Sequence, residues 1–269
     1  MRKEIIERLL ELSGDDEWIV RGSAVMSIGK LSDVTAKDMQ DKITVHLLRI
    51  IDDEYWNVRS SVIWAFGRLG DAGMIPKDNE VIIIKKIFAA FSDEDENVRE
   101  HALEAMGKLK DKVPGGMIND ILTRLIELTA DPEWNVRSPA ALNIGKFIDR
   151  IPKEMSGEIS ESLLKLTLDR EWAVRHSAAW AQGQLKDIVS ECKEERLIDS
   201  LLKLMDDKDW SVRNASVNSI SGMITLIPKN KNKEVIDAVM KLCSDPNPDV
   251  MTSAKHALIR LRSIIPGRE

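Results

Sequence analysis

Apolar residues in this chain fall in short runs whose intervals belong to helices. Leu9, Leu10 and Leu12 stand together early in the chain. Leu125, Ile126 and Leu128 repeat the same intervals, and so do Leu201, Leu202 and Leu204. Spacings of one, three and four residues gather side chains on one helical face, whereas a half-buried strand would alternate. A second run follows each first one. Val136, Ala140, Ile144 and Phe147 fall at i, i+4, i+8 and i+11, again one face of a helix.

Between the two runs lies a polar phrase that recurs seven times. Asp15-Asp16-Glu17-Trp18-Ile19-Val20-Arg21 returns as Asp53-Glu54-Tyr55-Trp56-Asn57-Val58-Arg59, and again around Val98, Val136, Val174, Val212 and Val250. The seven valines are 38, 40, 38, 38, 38 and 38 residues apart. A fixed period near 40 residues marks stacked supersecondary units, each burying its apolar faces against its neighbours. The unit read from the pattern is helix, short turn, helix. First helices are predicted near 2–13, 38–51, 79–91, 117–130, 154–168, 193–206 and 232–243. Second helices are predicted to start close to Trp18, Trp56, Glu96, Trp134, Trp172, Trp210 and Pro248. Pro76, Pro114, Pro152 and Pro228 punctuate the chain between units.

Five residues before each valine stands an Asp, which reads as the N-cap of the second helix. One residue after the valine stands Arg in six copies, with Met251 in the seventh. Nine residues after it, Gly29, Gly67, Gly107, Gly145 and Gly183 recur. Glycine inside a helix costs about 1 kcal/mol relative to Ala, so its return predicts close helix approach or a shared helix end.

With these positions the chain resembles the HEAT-repeat proteins among the armadillo-like helical solenoids, whose unit is an antiparallel helix pair with Asp in the turn and Arg six residues later. The resemblance runs from about residue 2 to about residue 265. It implies an all-α fold, an alpha-alpha superhelix of seven stacked hairpins at about 2–34, 37–72, 77–112, 115–150, 153–188, 191–226 and 230–265, forming one solenoid over 1–269. It also implies a structural ladder made by Asp15, Asp53, Asp93, Asp131, Asp169 and Asp207 with Arg21, Arg59, Arg99, Arg137, Arg175 and Arg213. In the family the Asp accepts turn amides and the Arg reaches Asp or carbonyl groups of its own and the neighbouring turn. The competing reading makes the arginines an anion-binding row. One departure stands out: where many HEAT turns carry Pro, this chain has Trp18, Trp56, Trp134, Trp172 and Trp210, and only Pro248 keeps the family residue. These indoles either pack over the adjacent turn or form an exposed row that recognises extended peptides.

A solenoid offers long repeated surfaces, so binding is the expected task. By resemblance the second helices line the concave side. Residues two, six and ten after each valine share a stripe there. Met26, Trp64, Leu142 and Trp180 supply large apolar side chains on it, and Lys30, Arg68, Lys108 and Lys146 a basic row. The predicted function is therefore a non-enzymatic protein-binding scaffold whose partner is a protein or peptide. The alternative is a nucleic-acid binder, or an enzyme similar to the HEAT-like DNA alkylation repair glycosylases, with Glu100 and Glu104 between Trp64 and Trp180.

Charge and composition narrow these readings. The chain of 269 residues carries a formal net charge of −6 with a pI near 5.5. That disfavours tight binding to nucleic acid, which depends on phosphate neutralisation, or to an anionic membrane. His46, His101, His176 and His256 lack the neighbouring Glu of His-Glu metal pairs and the HExxH spacing, and there is no phosphate-binding glycine loop, so no metal and no cofactor is expected. Cys192 and Cys243 are isolated and read as reduced thiols of a cytoplasmic protein. No apolar run reaches the roughly 20 residues needed to span a bilayer. Nothing in the sequence sets an oligomeric state.

Overall fold

The computed structural model describes residues 2–187 and 191–264. Among these residues the chain forms fourteen α-helices, joined by loops and single-turn 3₁₀ helices, and no strand. Seven are first helices: α1 (Arg2–Leu12), α3 (Gln40–Ile50), α5 (Lys77–Ala89), α7 (Ile118–Leu128), α9 (Ser156–Leu166), α11 (Glu191–Leu204) and α13 (Asn232–Leu242). Seven are second helices: α2 (Trp18–Lys30), α4 (Trp56–Asp71), α6 (Glu96–Lys108), α8 (Trp134–Lys146), α10 (Trp172–Gln184), α12 (Trp210–Gly222) and α14 (Pro248–Ile264). Every second helix begins at the residue predicted for it. First helices start within two residues of prediction. Several are entered through a 3₁₀ turn, such as Lys37–Met39 ahead of α3 and Lys153–Met155 ahead of α9.

The chain divides into two compact units, Met1–Arg124 and Leu125–Glu269. In the first unit α4 packs against both α2 and α6, while α1, α3 and α5 each back onto the second helix that follows them. In the second unit α10 lies between α8 and α12, α12 also packs against α14, and α9, α11 and α13 form the backing layer. The repeat valine is fully buried in six copies, Val58 through Val250. Around it lie the largest core side chains, among them Phe66, Phe91 and Phe147.

Small residues let the second helices come close. A Cβ placed on Gly67 would stand 3.2 Å from the Cα of Ala105. In the second unit Ser219 Oγ donates to the Ala179 carbonyl at 2.8 Å, a helix-to-helix bond made across the same close approach. One core position is anomalous. Gln182 is fully buried where Ile28, Phe66, Met106, Ile144 and Ile220 stand in other repeats. Its Oε1 accepts from Ser200 Oγ at 2.9 Å, while its Nε2 is buried without a hydrogen-bond partner among the described residues.

The expected N-cap role of the repeat Asp is corrected. The N-caps of α2, α4, α6, α8, α10 and α12 are Glu17, Tyr55, Asp95, Glu133, Glu171 and Asp209, two residues further on. Each repeat Asp instead accepts the backbone amide of that N-cap residue, as in Glu17 N–H to Asp15 Oδ1 at 3.0 Å and Glu171 N–H to Asp169 Oδ1 at 2.9 Å. It makes an Asx turn that fixes the approach to the helix. Where the N-cap is a short Asp or Asn its side chain caps the helix: Asp95 accepts from Asn97 N–H, Asp209 from Ser211 N–H and, ahead of α14, Asn247 from Asp249 N–H, each at 2.9 Å. Cys243 is a free, partly buried thiol. The side chain of Cys192 lies outside the described residues.

Candidate functional site: the turn rows and the second-helix stripe

The turns between first and second helices carry a repeated ionic network. Five of its arginines face two ways. Arg21 Nη1 donates to the Asp15 and Asp16 carbonyls of its own turn at 3.0 and 2.9 Å. Its Nε and Nη2 grip both carboxylate oxygens of Asp53 in the next repeat at 2.8 and 2.9 Å. The same two-pronged bond joins Arg59 to Asp93, Arg137 to Asp169, Arg175 to Asp207 and Arg213 to Asp245. Arg99 holds the Asp93 and Glu94 carbonyls at 2.9 and 3.1 Å, and Asp131 accepts the Glu133 amide at 3.0 Å. Bidentate charge-assisted bonds of this kind are about twice as strong as neutral ones.

The electrostatics follow from that geometry. Burial pushes the carboxyls of Asp53, Asp169 and Asp207 up, but the arginine forks and the turn amides outweigh it and hold all three below the ordinary value. Asp245 is held down chiefly by Arg213. The hydrogen bonds to Asp raise Arg21, Arg59, Arg175 and Arg213 in turn. With donors spent on carbonyls and carboxylates, these guanidiniums have little left to offer a ligand.

The turn tryptophans are open to solvent. Trp18, Trp56, Trp134, Trp172 and Trp210 are 37–49% exposed. Trp18 stacks on Tyr55 of the next turn, with ring centroids 5.9 Å apart and planes 20° from parallel, and the Arg21 guanidinium sits over the same Tyr55 ring. Each tryptophan is the first residue of its helix and lies four residues ahead of the stripe positions. In the first unit one shallow depression is lined by Trp18, Gly22, Met26 and Lys30 together with Asn57 and Ser61 of α4. In the first repeat the turn tryptophan and the stripe, separate features of the sequence, thus line one depression.

The stripe residues beyond the turn are less free than their pattern suggests. Met26, Leu142, Trp64 and Trp180 are all partly buried. Trp64 and Trp180 fill the space left by glycines. A Cβ on Gly29 would come within 2.6 Å of Trp64 Cζ3, and one on Gly145 within 2.6 Å of Trp180 Cζ3. The basic row is also engaged. Arg68 pairs with Asp33 at 3.0 Å and Lys108 with Asp71 at 3.4 Å, in each case an acid closing the preceding repeat. Lys30 is exposed and Lys146 partly buried. Sequence reasoning overlooked these acids, although Asp33, Asp71, Asp111, Asp149 and Asp187 all stand thirteen residues after the repeat valine. It also overlooked Tyr55, a single aromatic with no periodic signal.

Three of the four histidines have structural partners, and His256 is exposed. His46 Nε2 lies 2.7 Å from Ser13 Oγ, His101 Nδ1 2.6 Å from Ser60 Oγ, and His176 Nδ1 3.0 Å from the Ser211 carbonyl. Glu100 is partly buried and Glu104 exposed. Among the described residues no group of three His, Cys, Asp or Glu side chains is placed to hold a metal ion, and no helix is long and apolar enough to cross a membrane.

The family model for HEAT repeats matches residues 43–116 and 121–221, more than half of the chain. The chain belongs to the HEAT-repeat family. No curated protein matches it. Among solved structures it is similar to an engineered protein with a TM-score of 0.64 at 17% identity, covering 96% of this chain and 68% of that one. A second engineered protein gives 0.54 at 16%, covering 96% of each. A designed armadillo repeat protein gives 0.54 at 17%, covering 94% of this chain and 98% of that one. Identities this low establish the shared helical-repeat fold and nothing further.

Proposed function

We propose that the chain is a non-enzymatic scaffold that binds a protein partner along the second-helix stripe. The observation that carries this reading is the row of five tryptophans, each 37–49% exposed, at one repeat position. Large indoles held half in solvent at a fixed interval need a reason, and aromatic anchors commonly dominate protein recognition. The unbroken period between Val98 and Val136 supports a single solenoid presenting that row.

The surroundings favour a basic partner segment. Beside the tryptophans stand Asp16, Glu17, Glu54 and Glu133, all exposed. An extended segment carrying Lys or Arg would gain ion pairs there, and cation–π contact with the indoles. Pairing of Arg68 and Lys108 with acids, together with the net charge of −6, leaves little to attract a phosphate backbone. A reducing, cytoplasmic setting belongs to the same proposal, supported by the unpaired thiol of Cys243.

The test is capture of partners by the immobilised chain with and without nuclease. The parent retains a nuclease-resistant protein, and a Trp172→Ala, Trp210→Ala form that melts like the parent loses it. Hot-spot losses run to about 2 kcal/mol or more per anchor, roughly thirtyfold in affinity. Undiminished capture by the folded double variant sinks the proposal. Capture that disappears with nuclease favours the nucleic-acid reading.

A further inference from the structure

The two ends of the repeat array are chemically different. Two positions look toward the preceding repeat: Val58 faces Gly22 across 4.0 Å from the point a Cβ would occupy, and Leu109 crowds the corresponding point on Gly70. Their counterparts in the first repeat are Val20 and Leu31, both partly exposed, while the later counterparts are buried. The first helix behaves alike. Ile43, Ile83, Ile121, Ile159, Leu197 and Val235 are fully buried fifteen residues before the valine, yet Ile5 is 46% exposed. Leu9 is partly exposed where its six counterparts are fully buried. The first repeat therefore displays the apolar residues of a stacking face.

Its ladder position is equally open. Asp53, Asp93, Asp169, Asp207 and Asp245 each hold an arginine fork from the repeat before. The Asp15 carboxylate accepts the Glu17 amide, and among the described residues no arginine reaches it. The last repeat, in contrast, is closed to stacking. Met251 replaces the arginine. Lys255 replaces an apolar residue that is at most 1% exposed in the other six copies. Ile259, 68% exposed, fills the position that is glycine in five repeats.

We infer that the face made by Ile5, Leu9, Val20, Leu31 and the Asp15 carboxylate docks a further helical hairpin of the same repeat type, one that offers an arginine to Asp15 and a small residue to Val20. A second copy of this chain is a poor occupant. Joined head to tail it brings Met251, Lys255 and Ile259 to the face, and joined head to head it sets Asp15 against Asp15. The surface is distinct from the tryptophan row, so the two proposals stand or fall separately.

The probe is an added repeat. A copy of residues 39–76 joined ahead of Met1 restores the 38-residue spacing between the copied Val58 and Val20. The extended chain unfolds in one transition, with Tm raised by at least about 2 °C. Replacing the arginine of the copy by Met, changing Asp15→Asn, or doing both removes the same increment once. Two joined copies of residues 39–76, supplied as a separate polypeptide, bind the full chain saturably, and Asp15→Asn weakens that binding at least about tenfold. A copied repeat that melts separately, a gain insensitive to both substitutions, or no saturable binding in trans overturns the inference. A parent chain that self-associates in sedimentation and becomes monomeric on Ile5→Asp overturns the choice of occupant.

Discussion

Removing one rung of the ladder tests whether the arginines serve the stack or a ligand. Arg175 is the most informative rung. Its side chain and that of Asp207 are only 9% and 8% exposed. The guanidinium donates four hydrogen bonds: two to the Asp207 carboxylate at 2.6 and 2.8 Å, and two to the Asp169 and Arg170 carbonyls at 2.8 and 3.0 Å. Arg175→Ala removes all four and leaves Asp207 with the Asp209 amide as its one remaining hydrogen bond at the carboxylate. Breaking a buried pair on one side costs about 3–5 kcal/mol, because the remaining charge stays desolvated. Arg175→Ala with Asp207→Ala should cost less than Arg175→Ala alone. Asp15→Ala, which removes a single amide bond and no arginine fork, should cost about 1 kcal/mol.

The pH dependence gives a second reading of the same rung. In the folded parent Asp207 titrates below its ordinary value of 3.8. Between those two values the unfolded chain binds the extra proton. The rung's contribution is therefore complete above pH 3.8 and is lost as pH falls through the lower folded value. In Arg175→Ala burial, which raises this carboxyl and is the largest single influence on it, is opposed only by the Asp209 amide and Lys208, so the depression should be lost. The gap between parent and variant, measured by urea unfolding followed by circular dichroism, should be wide at pH 7 and should narrow in strong acid. A gap below about 1 kcal/mol at neutral pH, or one that does not change with pH, would refute the structural assignment and return the arginines as ligand candidates.

Three further outcomes follow from local geometry. Gly145→Ala gains up to about 1 kcal/mol of helix propensity but drives a methyl against Trp180 and the Ala181 backbone, so thermal melts should show net destabilisation of about 1–3 kcal/mol, largely relieved by Trp180→Leu. Gln182→Met should stabilise the chain by about 1 kcal/mol in urea unfolding, since it removes a buried amide nitrogen without a partner and Ser200 keeps its bond to the Leu197 carbonyl. His46 is held below its ordinary value of 6.5 by burial and by Arg49 and Lys42, so its contribution is complete above that value and is lost as pH falls through the folded one; His46→Gln should flatten the stability profile in that range.

Legibility in the sequence tracked periodicity. All seven second-helix starts could be read because the Trp, Val and Arg positions recur, and recurrence averages out local ambiguity. The pairing of Arg21 with Asp53 was open to the same reasoning, since both residues stand in nearly every copy. The Asx turn was not. Asp15 and Glu17 are both acceptable caps, and which one starts the helix depends on a backbone bend two residues long. The ion pairs of the basic row were hidden for a related reason. Arg68 and Lys108 look free along their own helix, and their acidic partners Asp33 and Asp71 belong to the repeat before. Features carried by one copy, such as Tyr55 under Trp18 or Gln182 in the core, leave no periodic trace.

The tryptophans themselves show why exposure has to be argued position by position. Seven are present, and repeat position sorts them into two classes. Those six residues after the valine, Trp64 and Trp180, meet glycines of the preceding helix, Gly29 and Gly145. Where the sixth residue is Glu104 or Asn218, the glycine before it instead meets the next residue along, Ala105 opposite Gly67 and Ser219 opposite Gly183. The indole is thus an exchangeable filler between second helices, and substituting it should first appear as lost stability. The five tryptophans at the helix starts meet none of the glycines whose surroundings are described, and they stay 37–49% exposed. Two sets of similar side chains therefore sit in different surroundings, one packed against glycine and one open to solvent. A variant that separates binding from folding belongs at the turn, in Trp172 or Trp210, and not at Trp64 or Trp180.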